Sequence, residues 1–90
     1  MFGMGDVEKF RALLADARRA KGLTQMEVTL AVGLRQPVTI SRYETGTSFP
    51  EPPMLERLIA LYDLNAEEVW PLWGLAYAER ARSALGGTGA

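Results

Sequence analysis

The sequence has neither cysteine nor histidine among its 90 residues. Their absence excludes disulfides, thiolate and imidazole metal sites, and every nucleophilic mechanism that needs a Cys nucleophile or a His base. A reducing compartment is compatible with this usage. Long hydrophobic runs are missing too: the most apolar stretch, VWPLWGLAYA, is too short to span a bilayer and contains Pro71. The opening residues, MFGMGDVEKF, carry no basic segment followed by an apolar one, so no secretory signal is expected and the expected location is the cytoplasm. Neither charge sign dominates, with ten Lys/Arg against eleven Asp/Glu. There is no strand-like alternation, no internal repeat and no linker long enough to divide domains.

What is present describes one small soluble domain. An apolar fraction of 48% and a charged fraction of 23% are those of an ordinary globule, and this length supports a single core of four or five helices. The net charge of −1 hides an asymmetry. Residues 1–46 carry seven Lys/Arg and five Asp/Glu, whereas residues 47–90 carry three and six. Because binding follows the field of one face rather than the total, a polyanionic partner stays open.

Val7, Phe10, Leu13, Leu14 and Ala17 recur at spacings of three and four, which predicts an amphipathic helix over residues 6–21, with Asp6 as N-cap and Gly22 at its end. Thr24, followed three residues later by Glu27, is a capping box that starts a short helix over residues 25–32, burying Val28 and Val32. Gly33 stops it. Pro37 suits a first helical turn, and Gly46 closes a helix over residues 37–45. Ile40, Tyr43 and Glu44 share one side of that helix; Val38, Arg42 and Thr45 share the other. The polar turn TSFPEPP precedes a fourth helix from about Pro53 to Tyr62, with Leu55, Leu58, Ile59 and Tyr62 inward. Asn65 caps AEEVW, and Pro71 is expected to restart the chain into a last helix over residues 72–85, ending in a frayed GGTGA tail.

Two short helices joined at Gly33 form a candidate helix-turn-helix. Arg18, then Gly22-Leu23-Thr24-Gln25, the turn glycine Gly33, Ile40-Ser41, Tyr43-Glu44 and Gly46 follow one another at linked spacings. Pro50, Leu55, Leu58, Ile59, Tyr62, Leu64 and Val69 continue the series. On these residues, positions 18–69 resemble the Cro and phage-repressor, or xenobiotic-response-element (XRE), type of helix-turn-helix domain. The resemblance implies an all-α fold: a compact five-helix bundle of the lambda-repressor-like type, with an additional C-terminal helix. Residues 1–70 would form the DNA-binding domain and residues 71–90 a C-terminal helix and flexible tail. The third helix would enter the DNA major groove.

Elementary chemistry leads to a compatible place. The major groove admits an α-helix and shows each base pair as a distinct set of donors, acceptors and methyls. Arg42 is suited to guanine O6 and N7 or to a phosphate, and Val38 to a thymine methyl. Thr39 and Ser41 flank this outward side and suit phosphates; Thr45 completes it. Gln25 matches the family position that clamps the DNA backbone at a helix N-terminus. Arg35 and Gln36, in or beside the turn, are placed to reach a base edge or the backbone. Glu44, on the inner side, needs a partner, since an unpaired buried carboxylate is costly. The resemblance pairs it with Arg18; Arg19 is the alternative. Four departures from the family pattern stand out. The turn from Gly33 to Ile40 is one residue longer, which predicts a bulge near Arg35. Pro37 replaces a glutamine that reads bases in many relatives, which moves that contact to Gln36. Thr29 replaces a small alanine, and Leu30 and Ala31 make the outer side of the second helix apolar.

The segment VWPLWGLAYAERARSAL, with two tryptophans and a tyrosine, is either packing over the bundle or a self-complementary patch for a two-fold dimer. The expected function is sequence-specific binding of double-stranded DNA by a dimeric transcriptional repressor, without catalysis, cofactor, small-molecule ligand or membrane. The alternative is a protein-interaction module, such as an antitoxin or an adaptor, built on the same bundle.

Overall fold

Gly5, rather than Asp6, precedes the first helical turn. The computed structural model describes residues 5–89, with side chains to Leu85. Gly5 is extended and has no side chain to accept from the free amides of the turn it introduces. Glu79, from the far end of the chain, does so instead: its two carboxylate oxygens accept from the Asp6 and Val7 amides at 3.1 Å each. Asp6 is thus the first residue of α1 (Asp6–Ala20), where its negative charge favours the helix N-terminus. Phe10, Leu14 and Ala15 are its buried residues, and Val7, Leu13 and Ala17 pack against the same core at its edge.

The remaining helices are α2 (Gln25–Ala31), α3 (Val38–Thr45), α4 (Pro52–Tyr62) and α5 (Ala66–Gly89), so the described residues form five helices and no strand. Seven residues are too few for a helix to persist alone. The second helix survives because both its ends are satisfied and its inner side is buried. Thr24 and Glu27 form the expected capping box, at 3.0 and 2.8 Å. Gly33, at φ +85°, turns the chain so that the Leu34 amide reaches the Thr29 carbonyl at 2.8 Å, and Arg57 donates to the Val32 carbonyl at 2.9 Å. Thr29 is fully buried, and its hydroxyl is satisfied by the Gln25 carbonyl at 2.7 Å, so the extra polar atom is tolerated at this crossing.

Prolines 52 and 53 both fit the first turn of α4, which therefore begins one residue earlier than expected. The last part of the chain requires a larger correction. Asn65 does cap the next helix, accepting from the Glu67 amide at 3.0 Å, but that helix does not end at Pro71. It runs on, and the separate additional helix expected over residues 72–85 is the continuation of α5. Pro71 deletes one bond, to the carbonyl of Glu67, and both residues are exposed, so the freed group faces solvent. On the opposite side Val69, Leu72, Trp73 and Ala76 pack into the core and hold the helix together across the missing bond.

One contiguous core results, from Phe10 and Leu14 through Val28, Val32, Ile40 and Tyr43 to Leu55, Leu58, Tyr62, Val69 and Ala76. The fifth helix lies chiefly against α1. Its tryptophans belong to this packing: Trp73 donates its indole N–H to the Pro50 carbonyl at 2.9 Å, and Trp70 meets it edge-on at 5.7 Å. Leu75 and Tyr77, by contrast, are about half exposed.

Candidate nucleic-acid interface

The third helix is held at both ends and along one side. Pro37 is its N-cap rather than its first helical residue, and its carbonyl accepts from the Ser41 amide at 3.0 Å. The chain leaves at Gly46, whose φ of +78° favours glycine. A side chain there would also press on Val7, since a Cβ would lie 3.1 Å from its Cγ1. The amides of Thr47 and Ser48 fold back to the Arg42 carbonyl at 3.0 and 3.3 Å. The next carbonyls are taken by side chains from elsewhere: Arg11 donates to Glu44 and Arg80 to Gly46. These contacts satisfy the groups that a helix leaves unpaired at its C-terminus. Spacing in the sequence gives no sign of them, because the partners lie 33 and 34 residues apart.

Along the inner side, Ile40, Tyr43 and Glu44 are buried, as their spacing predicts. Glu44 makes the expected pair with Arg18 and not with Arg19, which instead lies 3.7 Å from Asp16 at the surface. The Arg18 guanidinium forks onto both carboxylate oxygens, Nε to Oε2 at 2.7 Å and Nη2 to Oε1 at 3.1 Å, and its Nη1 donates to the Leu23 carbonyl at 2.8 Å. Hydrogen bonding to Glu44 holds Arg18 above its already high pKa. Tyr62 lies close enough to feel both charges; burial first, then the Glu44 carboxylate, push its pKa up to about 12.

Gln25 also has a role inside the protein. Its carboxamide, expected with its backbone amide at the DNA backbone, donates to Glu44 Oε1 at 3.1 Å and is the third member of this network. It links the first turn of α2 to the inner side of α3, so the two helices are joined through one carboxylate that also ties them to α1.

The outer side differs in every respect. Val38, Arg42 and Thr45 are all exposed, and Thr39 and Ser41 on the flanks are half-buried. The Thr45 hydroxyl turns back to the Arg42 carbonyl at 3.2 Å and meets the Thr47 hydroxyl at 2.9 Å, so it is engaged within the protein. Arg35 and Gln36 are exposed in the six-residue connection over residues 32–37, which bends at Arg35 where the extra residue was expected to bulge. Leu34 packs against the core and keeps this connection close to the bundle. Among the described residues, Arg11, Arg18, Arg19 and Lys21 sit in ion pairs, whereas Arg35 and Arg42 do not. Among the described residues, the cations of the first half outside ion pairs are thus Lys9 on α1, Arg35 in the turn and Arg42 on the outer side of α3. Glu27, the nearest carboxylate on α2, is drawn onto the Thr24 amide, and that hydrogen bond holds its carboxyl below the usual range.

A rigidly seated helix whose outward residues combine a free cation with small aliphatic groups can enter a groove lined with phosphates and base edges. Among families of known proteins, the one described as a helix-turn-helix domain matches residues 9–72, from the first turn of α1 into α5. Neither the curated proteins nor the solved structures give a match.

Proposed function

The chain belongs to the helix-turn-helix domain family, and we propose that within it the protein is a sequence-specific regulator that binds double-stranded DNA, of the Cro and phage-repressor type. It works in the cytoplasm as a homodimeric repressor that occupies an operator, by binding alone. One observation carries this reading: α3 is fixed by the Arg18–Glu44–Gln25 network while Val38, Arg42 and Thr45 face solvent beside unpaired Arg35.

In this reading α3 lies in the major groove, with Arg42 and Val38 at base edges and Thr39, Ser41 and Thr45 near the backbone. Arg35 and Gln36 approach from the turn. Gln25 contributes the backbone amide at the start of α2 to a phosphate and keeps its side chain on Glu44. Pairing two copies places two reading helices about one DNA turn apart. The exposed Leu75 and Tyr77 of α5 offer a surface for that pairing.

A second reading, a protein-interaction module such as an antitoxin or adaptor, draws on Met26 and Leu30, which leave the outer side of α2 45% and 65% exposed. Selecting bound duplexes from a random DNA pool separates the two. Enrichment of an inverted repeat with half-sites about 10 base pairs apart is expected; recovery of unenriched sequence would favour the protein partner.

A further inference from the structure

The groups that α3 presents outward are few enough to limit what it can read. Val38 is 45% exposed and offers only methyl groups. Arg42, one turn later, offers a guanidinium with no ion-pair partner among the described residues. Thr45 would ordinarily add a hydroxyl, but its Oγ1 is bonded to the Arg42 carbonyl and to Thr47, which leaves its methyl as the group it has to offer. The carboxamides do not enlarge the set: Gln25 is turned onto Glu44, and Gln36 lies before the helix, ahead of Pro37. On its outer side, then, the helix has one hydrogen-bonding group for a base, set between aliphatic surfaces.

Resting on the DNA-binding reading above, we infer that Val38 and Arg42 together specify a thymine within about two base pairs of a guanine, the thymine being recognised through its 5-methyl group. Only two features of the major groove match this pair of side chains. Guanine presents O6 and N7 to a guanidinium fork, and thymine alone presents a methyl to an aliphatic side chain. Uncompensated donors or acceptors of adenine or cytosine would be desolvated against Val38 without a partner. The spacing adds a second constraint. Four helical residues advance about 6 Å and return to nearly the same side, while base pairs along one strand are about 3.4 Å apart. The thymine therefore lies within about two base pairs of the guanine.

The test changes single atoms of the DNA and uses the full-length chain on a duplex selected from a random pool. Each thymine of the half-site is replaced in turn by deoxyuridine, which keeps pairing and removes only the methyl; each guanine is replaced by 7-deazaguanine, which removes N7. One deoxyuridine position, within two base pairs of the sensitive guanine, is expected to weaken binding about fourfold, the ratio given by about 0.8 kcal/mol for one buried methyl-sized group. Val38→Ala is expected to bind the thymine duplex more weakly and to be indifferent to that deoxyuridine. Its exposure means that the fold is unaffected, which a thermal melt checks. If 7-deazaguanine weakens binding while every deoxyuridine is silent, DNA reading through Arg42 stands and methyl recognition by Val38 is overturned. If the pool yields no preferred sequence, the DNA-binding reading itself fails and this inference with it.

Discussion

On its inner side α3 places Ile40, Tyr43 and Glu44, none more than 8% exposed, against α1 and α2. On its outer side Val38 is 45% exposed, and Arg42 makes no ion pair among the described residues. Eight residues thus divide into a half that decides where the helix sits and a half that is free to meet a partner. The difference teaches how a slightly acidic chain can address a polyanion. Ion pairs engage Arg11, Arg18, Arg19 and Lys21, so among the described residues the unpaired positive charge of the first half sits at Lys9 on α1 and at Arg35 and Arg42, two of these three on the connection and outer side of α3. Net charge describes solubility and long-range steering; the pattern of pairing decides which face carries the field.

The comparison breaks most visibly at Glu44. Replacing it by alanine strands the Arg18 guanidinium, whose side chain is only 13% exposed, without its fork partner. The expected loss is about 3 kcal/mol, which lowers Tm by roughly 12–24 °C for a domain of this size. A circular-dichroism melt measures it; an unchanged Tm would show that the inner side does not depend on the pair. Arg42→Ala should do the reverse. Loss of a guanine contact costs about 1–3 kcal/mol, or roughly 5- to 140-fold in DNA affinity, with Tm unchanged, as gel shift and melt together can establish. Gly46→Ala tests the joint between the halves. A left-handed residue with a Cβ 3.1 Å from Val7 should cost about 1–2 kcal/mol of stability, read from the urea midpoint. A rise in that midpoint would mean that the exit from α3 has room to relax.

A further effect is confined to alkaline pH. Tyr62 is an acid whose folded pKa is raised to about 12 from the ordinary value near 10. Below pH 10 it is protonated whether folded or not, and its contribution is fully present. As pH climbs from 10 towards 12 the unfolded chain loses this proton first, so stability falls across that window. Tyr62→Phe should flatten that part of the alkaline decline when urea midpoints of the two proteins are compared. Parallel declines would place Tyr62 in a more solvated setting than its 4% exposure indicates.

Much of this arrangement is legible from local spacing. Apolar residues three and four apart, with Gly22, Gly33 and Gly46 in left-handed turns after the helices, locate the first three helices to within one residue at each end. The capping box at Thr24 and Glu27 and the division of α3 into two sides follow from the same local rules. Contacts made across the chain are another matter. Glu79 caps α1 from 73 residues away and displaces Asp6 from that role. Pro71 sits inside α5 because the packing of Val69, Trp73 and Ala76 outweighs one missing hydrogen bond. Gln25 has its carboxamide on Glu44 because folding brings it within hydrogen-bonding distance of that buried carboxylate. Each depends on which groups become neighbours after folding, and no spacing rule records that.

The proposal that the outer side of α3 meets DNA is tested most directly by following backbone amide resonances while a selected duplex is added to isotope-labelled protein. The account predicts that the largest shifts fall on residues 35, 36, 38, 39, 41, 42 and 45 and at the start of α2, with the core positions of α4 almost still. Shifts confined to α5, or spread over the acidic second half while Val38 and Arg42 stay unmoved, would contradict it.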